Sequence, residues 1–194
     1  DIATTSFFPA KPLGCYGDGG AIFTNDDAIA AQLRSLCVHG KSGEDKYNNI
    51  QIGMNSRLDT IQAAILDVKL TAFADYEVDA VNRVAEEYTR HLAGTVKTPV
   101  VPEGFYSSWA QYTIQLPGKE KRDALQAALK AKGIPTMVYY PRCMHEQGAM
   151  SAIPYNGECP VAEKMTETVL SLPMHPYLTG EDIQMICAAL RDSI

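Results

Sequence analysis

No apolar run in this 194-residue sequence approaches the roughly 18 residues that a membrane-crossing helix requires, so a transmembrane protein is not expected. Positive charge is in deficit as well. Lysine and arginine number 17 against 23 aspartates and glutamates, a formal net charge of −6. Nucleic-acid binders more often carry a basic surplus, which disfavours that class of partner. Any anionic substrate must then be met by positive charge placed locally. Cysteine is scarce: Cys15, Cys37, Cys143, Cys159 and Cys187 are odd in number, widely spaced and form no C-x-x-C pair. That pattern argues against a disulfide scaffold or a zinc knuckle, and the expectation is reduced thiols in a cytoplasm. His39, His91, His145 and His175 share no metal-ligand spacing, so no metal site is expected. The opening residues show no secretory signal pattern.

What is present is ordinary for a globular protein: 46% hydrophobic and 21% charged residues, in a length that suits one medium domain or one and a half small ones. Residues 2–8 are β-branched and aromatic and read as a strand already in progress. The expectation from this is that a segment preceding Asp1, cut off or supplied as a separate chain, completes the domain. Residues 9–20 hold two prolines and four glycines, the mark of an irregular loop. A short strand is expected at 21–23. A T-x-x-D cap over 24–27 then opens a helix with Ile29, Leu33, Leu36 and Cys37 inward, ended by Gly40.

The longest helical pattern starts at Arg57, with Leu58, Ile61, Ile65 and Val68 on one face. A break is expected near residues 71–75, before Val78, Val81, Ala85, Tyr88 and Leu92 resume the spacing up to Gly94. A long helix bent in this way often joins two domains. Beyond it the spacing predicts a compact α+β unit. Its strands are expected at 109–116 and 134–139 and its helices at 120–132 and 160–170. A last helix follows a second T-x-x-D cap at residues 179–182.

Lys11 is the sharpest chemical signal. It sits in S-F-F-P-A-K-P-L-G-C-Y-G-D-G-G, after a buried-looking strand and before a glycine-rich turn. A lysine held out of water loses part of its preference for the charged form, and its amine becomes a usable nucleophile toward an aldehyde cofactor. A solvated lysine beside a turn is the other reading, and for a lone lysine the commoner one. Glycines 14, 17, 19 and 20 form neither G-x-G-x-x-G nor a P-loop, and read as residues that let the backbone turn tightly.

The segment resembles the lysine region of the fold-type I aminotransferases that act on nucleotide-linked keto-sugars, the DegT/DnrJ/EryC1/StrS family. Ser6-Phe7-Phe8, Lys11 and Gly17-Asp18-Gly19-Gly20 carry the likeness. So do Gly53-Met54-Asn55-Ser56-Arg57-Leu58-Asp59 with Gln62-Ala63-Ala64, then Tyr139-Tyr140-Pro141, and Ser171-Leu172-Pro173-Met174-His175-Pro176. Several motifs in order, over essentially the whole chain, are far more specific than any one of them. Within the family the nearest likeness is to enzymes that aminate C3 of a UDP-linked 3-keto-N-acetylglucosaminuronate in bacterial surface-polysaccharide synthesis.

The resemblance implies an α/β fold. Residues 1–72 would end the large cofactor-binding domain and 73–194 would form the small α+β carboxy-terminal domain. It implies pyridoxal 5'-phosphate as cofactor, held covalently by Lys11, with the Ser6 hydroxyl on its phosphate. It implies a homodimer with shared active sites, in which Asn55 reaches the partner subunit's cofactor phosphate and Arg57 reaches toward the partner's substrate. The residues alone allow plainer readings: Asn55 as a cap before a helix, Arg57 as a solvated first-turn arginine, Tyr140 as a strand-end core tyrosine instead of a wall of the sugar pocket. Val38 stands where relatives tend to have arginine, which leaves substrate contacts from that loop open. The implied substrates are a nucleotide-sugar and an amino-acid donor, glutamate by expectation. The carboxylate, the stacking ring and the other phosphate donors would come from the amino-terminal half of the same enzyme, so this polypeptide alone is not expected to catalyse. A C4 keto-sugar aminotransferase and a non-catalytic partner subunit are the alternatives.

Overall fold

The computed structural model describes residues 1–43, 45, 47–155 and 157–194. The chain divides into two compact units, Asp1–Asp75 and Tyr76–Ile194.

In the first unit, strands β1 (Ile2–Ser6) and β2 (Gly20–Thr24) pair antiparallel, with Ile2 opposite Thr24 and Ser6 opposite Gly20. The Lys11 loop is thus the connection of a hairpin, and its two ends are fixed side by side. β1 is exposed along its whole length among the described residues. Among the described residues its one partner in the sheet is β2. Helix α1 (Asp27–Cys37) follows. Its cap is Asp26, whose carboxylate accepts the Ile29 N–H at 3.0 Å. Thr24, expected as the cap, instead accepts the Asp26 N–H at 3.2 Å and shapes the turn before the helix. Past α1 the chain reverses at Gly40, whose φ of +74° places it in the left-handed region. A Cβ there would stand 1.8 Å from the Gln51 carbonyl oxygen, so no other residue fits.

Helix α2 (Thr60–Ala72) begins three residues later than the apolar spacing predicts. The returning chain is held extended first: His39 N–H donates to Met54 O at 3.0 Å, and Ser56 N–H to Cys37 O at 3.0 Å. These bonds compete with helix at Arg57, which therefore precedes the helix and is not in its first turn. The break expected near 71–75 is a π-helical turn, Phe73–Glu77, in which the boundary between the two units falls.

The second unit starts in that turn and continues as α3 (Val78–Leu92), which buries Val81, Val84, Ala85, Tyr88 and Leu92 along one stripe, as 3,4 spacing requires. Strands β3 (Tyr112–Gln115) and β4 (Val169–Leu172) pair antiparallel, and α4 (Lys119–Ala131), α5 (Pro160–Thr168) and α6 (Gly180–Arg191) complete the unit. The core includes Tyr88 and Tyr112, both fully buried with ring centroids 5.0 Å apart. Each hydroxyl is satisfied: Tyr88 donates to Pro173 O at 2.9 Å, and Tyr112 meets Thr89 Oγ1 at 2.7 Å. α6 opens on the expected cap, Thr179 and Asp182 forming a reciprocal capping box.

Three expectations in this unit are corrected. β3 starts at Tyr112 because Trp109 sits at φ 45°, outside strand geometry. Residues 134–139 form no strand; Met137 makes a single bridge to Ser171. The helix expected to reach Leu170 stops at Thr168, and the four buried residues of β4 follow at once. The switch is pinned by Arg122, a buried arginine on α4 whose Nη1 donates to Thr166 O at 3.1 Å and to Val169 O at 3.3 Å.

Candidate active site

The hairpin loop that carries Lys11 is closed by its own main chain. Phe7 N–H donates to Gly19 O at 2.8 Å, Lys11 N–H to Phe8 O at 2.8 Å, and Cys15 N–H to Phe7 O at 2.8 Å. Cys15 is fully buried, and its thiol donates to Phe7 O at 2.9 Å and Gly17 O at 3.1 Å. Gly14 is where the coil is tightest: a Cβ would stand 2.8 Å from the carbonyl oxygens of both Phe8 and Pro9. Gly14 and Gly20 approach main-chain oxygens and Gly19 the Cys15 sulfur too closely for a side chain, whereas at Gly17 a Cβ would meet only the end of the Gln62 side chain. Cys15 and its carbonyl partners are invisible to motif reading, since a lone cysteine after a glycine carries no signal of its own.

Within this chain Lys11 is exposed. Its side chain makes no hydrogen bond or ion pair among the described residues, so the amine stands free at the head of a closed loop. Ser6 ends β1 on the same hairpin. Its Oγ accepts the Phe8 N–H at 3.2 Å, which orients the hydroxyl and leaves its proton to donate. A free primary amine and an oriented hydroxyl five residues apart are a donor set that fits an aldehyde-bearing phosphate such as pyridoxal 5'-phosphate.

Asn55 and Arg57 lie together elsewhere in the same unit, in the extended segment before α2. Arg57 Nη2 donates to Asn55 Oδ1 at 2.7 Å, and both side chains are exposed. They border a groove of about 1200 Å³, along with Asp18, Arg34 and Asp59. Neither Lys11 nor Ser6 lines that groove. Tyr140 belongs to the second unit, exposed and edge-on to Tyr139 with ring centroids 5.5 Å apart. It is not the core tyrosine that its place in an expected strand allowed. In the same unit His145 stacks on Tyr155 at 4.5 Å and lies 3.6 Å from Glu163. Among the described residues no group of three His, Cys, Asp or Glu is arranged to hold a metal ion, and all five cysteines are free.

Comparison with known proteins gives this arrangement a family. The chain is 47% identical over 190 residues to the UDP-2-acetamido-2-deoxy-3-oxo-D-glucuronate aminotransferase of Pseudomonas aeruginosa, covering 97% of this chain and 51% of that protein. It is also 47% identical over 189 residues to the pleiotropic regulatory protein of Geobacillus stearothermophilus, covering 95% of this chain and 49% of that one. Among solved structures it is similar to a DegT DnrJ EryC1 StrS aminotransferase from Brucella abortus, with a TM-score of 0.92 and 49% identity over 98% of this chain and 50% of that one. The chain thus spans about half the length of the relatives it matches. The fold is that of the pyridoxal-phosphate-dependent transferases of fold type I, an α/β class, and the family is pyridoxal-phosphate-dependent. With the family model matched over residues 1–191, the chain belongs to the DegT/DnrJ/EryC1/StrS aminotransferase family.

Proposed function

We propose that this chain is the carboxy-terminal half of an enzyme that moves an amino group from L-glutamate to C3 of a UDP-linked 3-keto-N-acetylglucosaminuronate, for bacterial surface-polysaccharide synthesis. The observation that carries the reading is the free Lys11 amine at the head of a loop closed around Gly14, in a chain 47% identical to the Pseudomonas aeruginosa 3-oxo-glucuronate aminotransferase. In this reading residues 1–72 end the large domain and 73–194 form the small one. The enzyme works as a cytoplasmic homodimer. No helix among the described residues is long and apolar enough to cross a membrane.

Lys11 Nζ holds the cofactor and Ser6 Oγ donates to its phosphate. When bound, the cofactor supplies the electron sink that lets an amino group leave one carbon and join another. The chain's part is positional and acid–base. Lys11, once its amine is free, carries a proton off or onto the substrate carbon that changes its substituent. The closed hairpin loop keeps that amine over the reacting atom. Asn55 and Arg57 serve the partner subunit's pocket, from a groove whose walls also carry Arg34 and Asp59. Arg57 offers the planar fork that suits a carboxylate or phosphate, and Tyr140 lines the sugar pocket.

The test is amino transfer by the full-length protein from glutamate to the UDP-linked 3-keto-uronate, with a 4-keto sugar nucleotide as control. Turnover of the 4-keto compound alone would move the assignment to C4. A non-catalytic subunit of the same fold is a second reading, favoured by the name of the Geobacillus relative. Retention of Lys11 weighs against it, and absence of turnover with every keto-sugar would favour it.

A further inference from the structure

Helix α2 presents two polar side chains seven residues apart, on one face, to the Lys11 loop. Gln62 Oε1 accepts the Tyr16 N–H at 2.8 Å. The Lys69 ammonium donates to the Gly14 carbonyl oxygen and lies 5.9 Å from the centroid of the Tyr16 ring. The amide nitrogen end of Gln62 also packs where a Cβ on Gly17 would meet it at 3.0 Å. A helix face that only supported a loop would be expected to be apolar, since burying apolar surface costs no desolvation of polar groups. Here both side chains spend their polar ends on main-chain atoms of residues 14 and 16. That fixes the peptide planes immediately after the tightest part of the coil.

We propose that Gln62 and Lys69 are positioning residues that clamp the 14–16 segment and so set the direction of the Lys11 amine. This rests on Lys11 being the residue that holds the cofactor. The loop's own bonds close residues 7–19 on themselves but tie none of its main chain to a helix. Gln62 and Lys69 make that tie, across 46 and 55 residues of sequence. Gly14 is the site of leverage: buried and unable to carry a side chain, it is gripped through its carbonyl. A primary amine that must meet an aldehyde carbon and later a substrate carbon tolerates little misdirection, so a grip three residues away bears on chemistry as well as on folding.

The experiment uses the full-length protein and four variants: Gln62→Met, Gln62→Glu, Lys69→Met and Lys69→Arg. The first readout is hydrogen exchange of the Tyr16 amide without cofactor. Gln62→Met is expected to speed it about fivefold to tenfold, the loss of one hydrogen bond, whereas Gln62→Glu, which keeps an acceptor oxygen, exchanges at the wild-type rate. The second is the pH titration of the visible absorbance band of lysine-bound cofactor. Its midpoint is expected to move in Gln62→Met and Lys69→Met and to return toward wild type in Gln62→Glu and Lys69→Arg. Unchanged exchange and an unmoved midpoint in both methionine variants overturn the proposal. So does equal disturbance by Gln62→Met and Gln62→Glu, which would mark Gln62 as packing alone. Failure of the underlying reading shows separately: borohydride reduction of the wild type would place the cofactor on a lysine other than Lys11, whatever the exchange of Tyr16.

Discussion

Arg57 Nη2 donates to Asn55 Oδ1 at 2.7 Å, and this one bond fixes the orientation of the asparagine amide. Because the carbonyl end faces the guanidinium, the amide NH2 points away with its donors free, as the proposed contact with a phosphate requires. The two side chains are directly bonded, so the effects of removing them are expected to be non-additive. Arg57→Ala should lower kcat/KM for the keto-sugar half-reaction by about ten- to hundredfold, the worth of a charge-assisted pair. The glutamate half-reaction should fall much less. Arg57→Lys should rescue only part, lacking the planar fork. Equal loss in both half-reactions would assign the pair to cofactor placement or dimer integrity instead.

If those residues serve the other subunit, two crippled proteins can repair each other. Mixed Lys11→Ala and Asn55→Ala subunits are expected to form heterodimers with one intact site, because a two-fold axis places both lesions in the same pocket and leaves the other untouched. Activity should rise from background on mixing and scale with the heterodimer fraction. No recovery from a verified heterodimer would return Asn55 and Arg57 to their own subunit.

Lys11→Ala is expected to abolish turnover while the fold persists, since the loop is held by bonds from residues 7, 15 and 19 and not by the lysine side chain. Borohydride reduction followed by peptide mapping should label Lys11 in the wild type. A label at another lysine refutes the assignment. Lys11 is exposed within this chain. Its neighbours in sequence divide: Phe8, Pro9 and Ala10 are exposed, whereas Gly14 and Cys15 are buried, so apolar neighbours along the chain do not by themselves bury a side chain.

Local rules fared best where an element answers to its own pattern. The apolar stripe of α3 and the Thr179–Asp182 cap were legible because 3,4 spacing and capping chemistry act within one or two turns. β4 was not, because Val169-Leu170-Ser171-Leu172 continues a helical apolar run equally well. What decides it is pairing with β3 and the grip of Arg122, 44 and 47 residues away in sequence. The clamp from Gln62 and Lys69 onto the Lys11 loop is equally non-local. Gln62 stood within a recognised motif, yet nothing near it in sequence says that it faces Tyr16.

Arg122 carries a stability prediction of its own. It is 4% exposed, and its Nη1 serves two carbonyls at the point where α5 becomes β4. Arg122→Met fills a similar volume but leaves both carbonyls without that donor. A loss of about 2–4 kcal/mol is expected, read as a lower midpoint in urea with unchanged slope. Arg122→Lys should recover part of it. A loss under about 0.5 kcal/mol, the usual range for surface changes, would mean that water replaces the guanidinium.

The pH dependence of α6 follows from its cap. Thr179 Oγ donates to Asp182 Oδ2 at 2.6 Å, and Thr179 N–H donates to the same oxygen at 3.0 Å. These bonds, the hydroxyl first and the main chain second, hold the Asp182 carboxyl below the usual carboxylate range. A group whose folded-state pKa is depressed contributes stability that is fully present above its unfolded value, about 3.9, and is lost as pH falls through the folded value. Asp182→Asn keeps an oxygen that can accept from Thr179 N–H but cannot titrate. The wild type should therefore melt at a higher temperature than Asp182→Asn near neutral pH. The gap should hold down to about pH 5 and close progressively below about pH 4. α6 buries Ile183, Ile186, Cys187 and Leu190 in the unit's core, so fraying of its first turn registers in the melting of the unit and not only locally. Melting temperatures of the two proteins measured from pH 7 to pH 3 decide the matter. A gap that stays constant across that range would mean that the carboxylate's charge contributes nothing and that the cap works through its neutral hydrogen bonds alone.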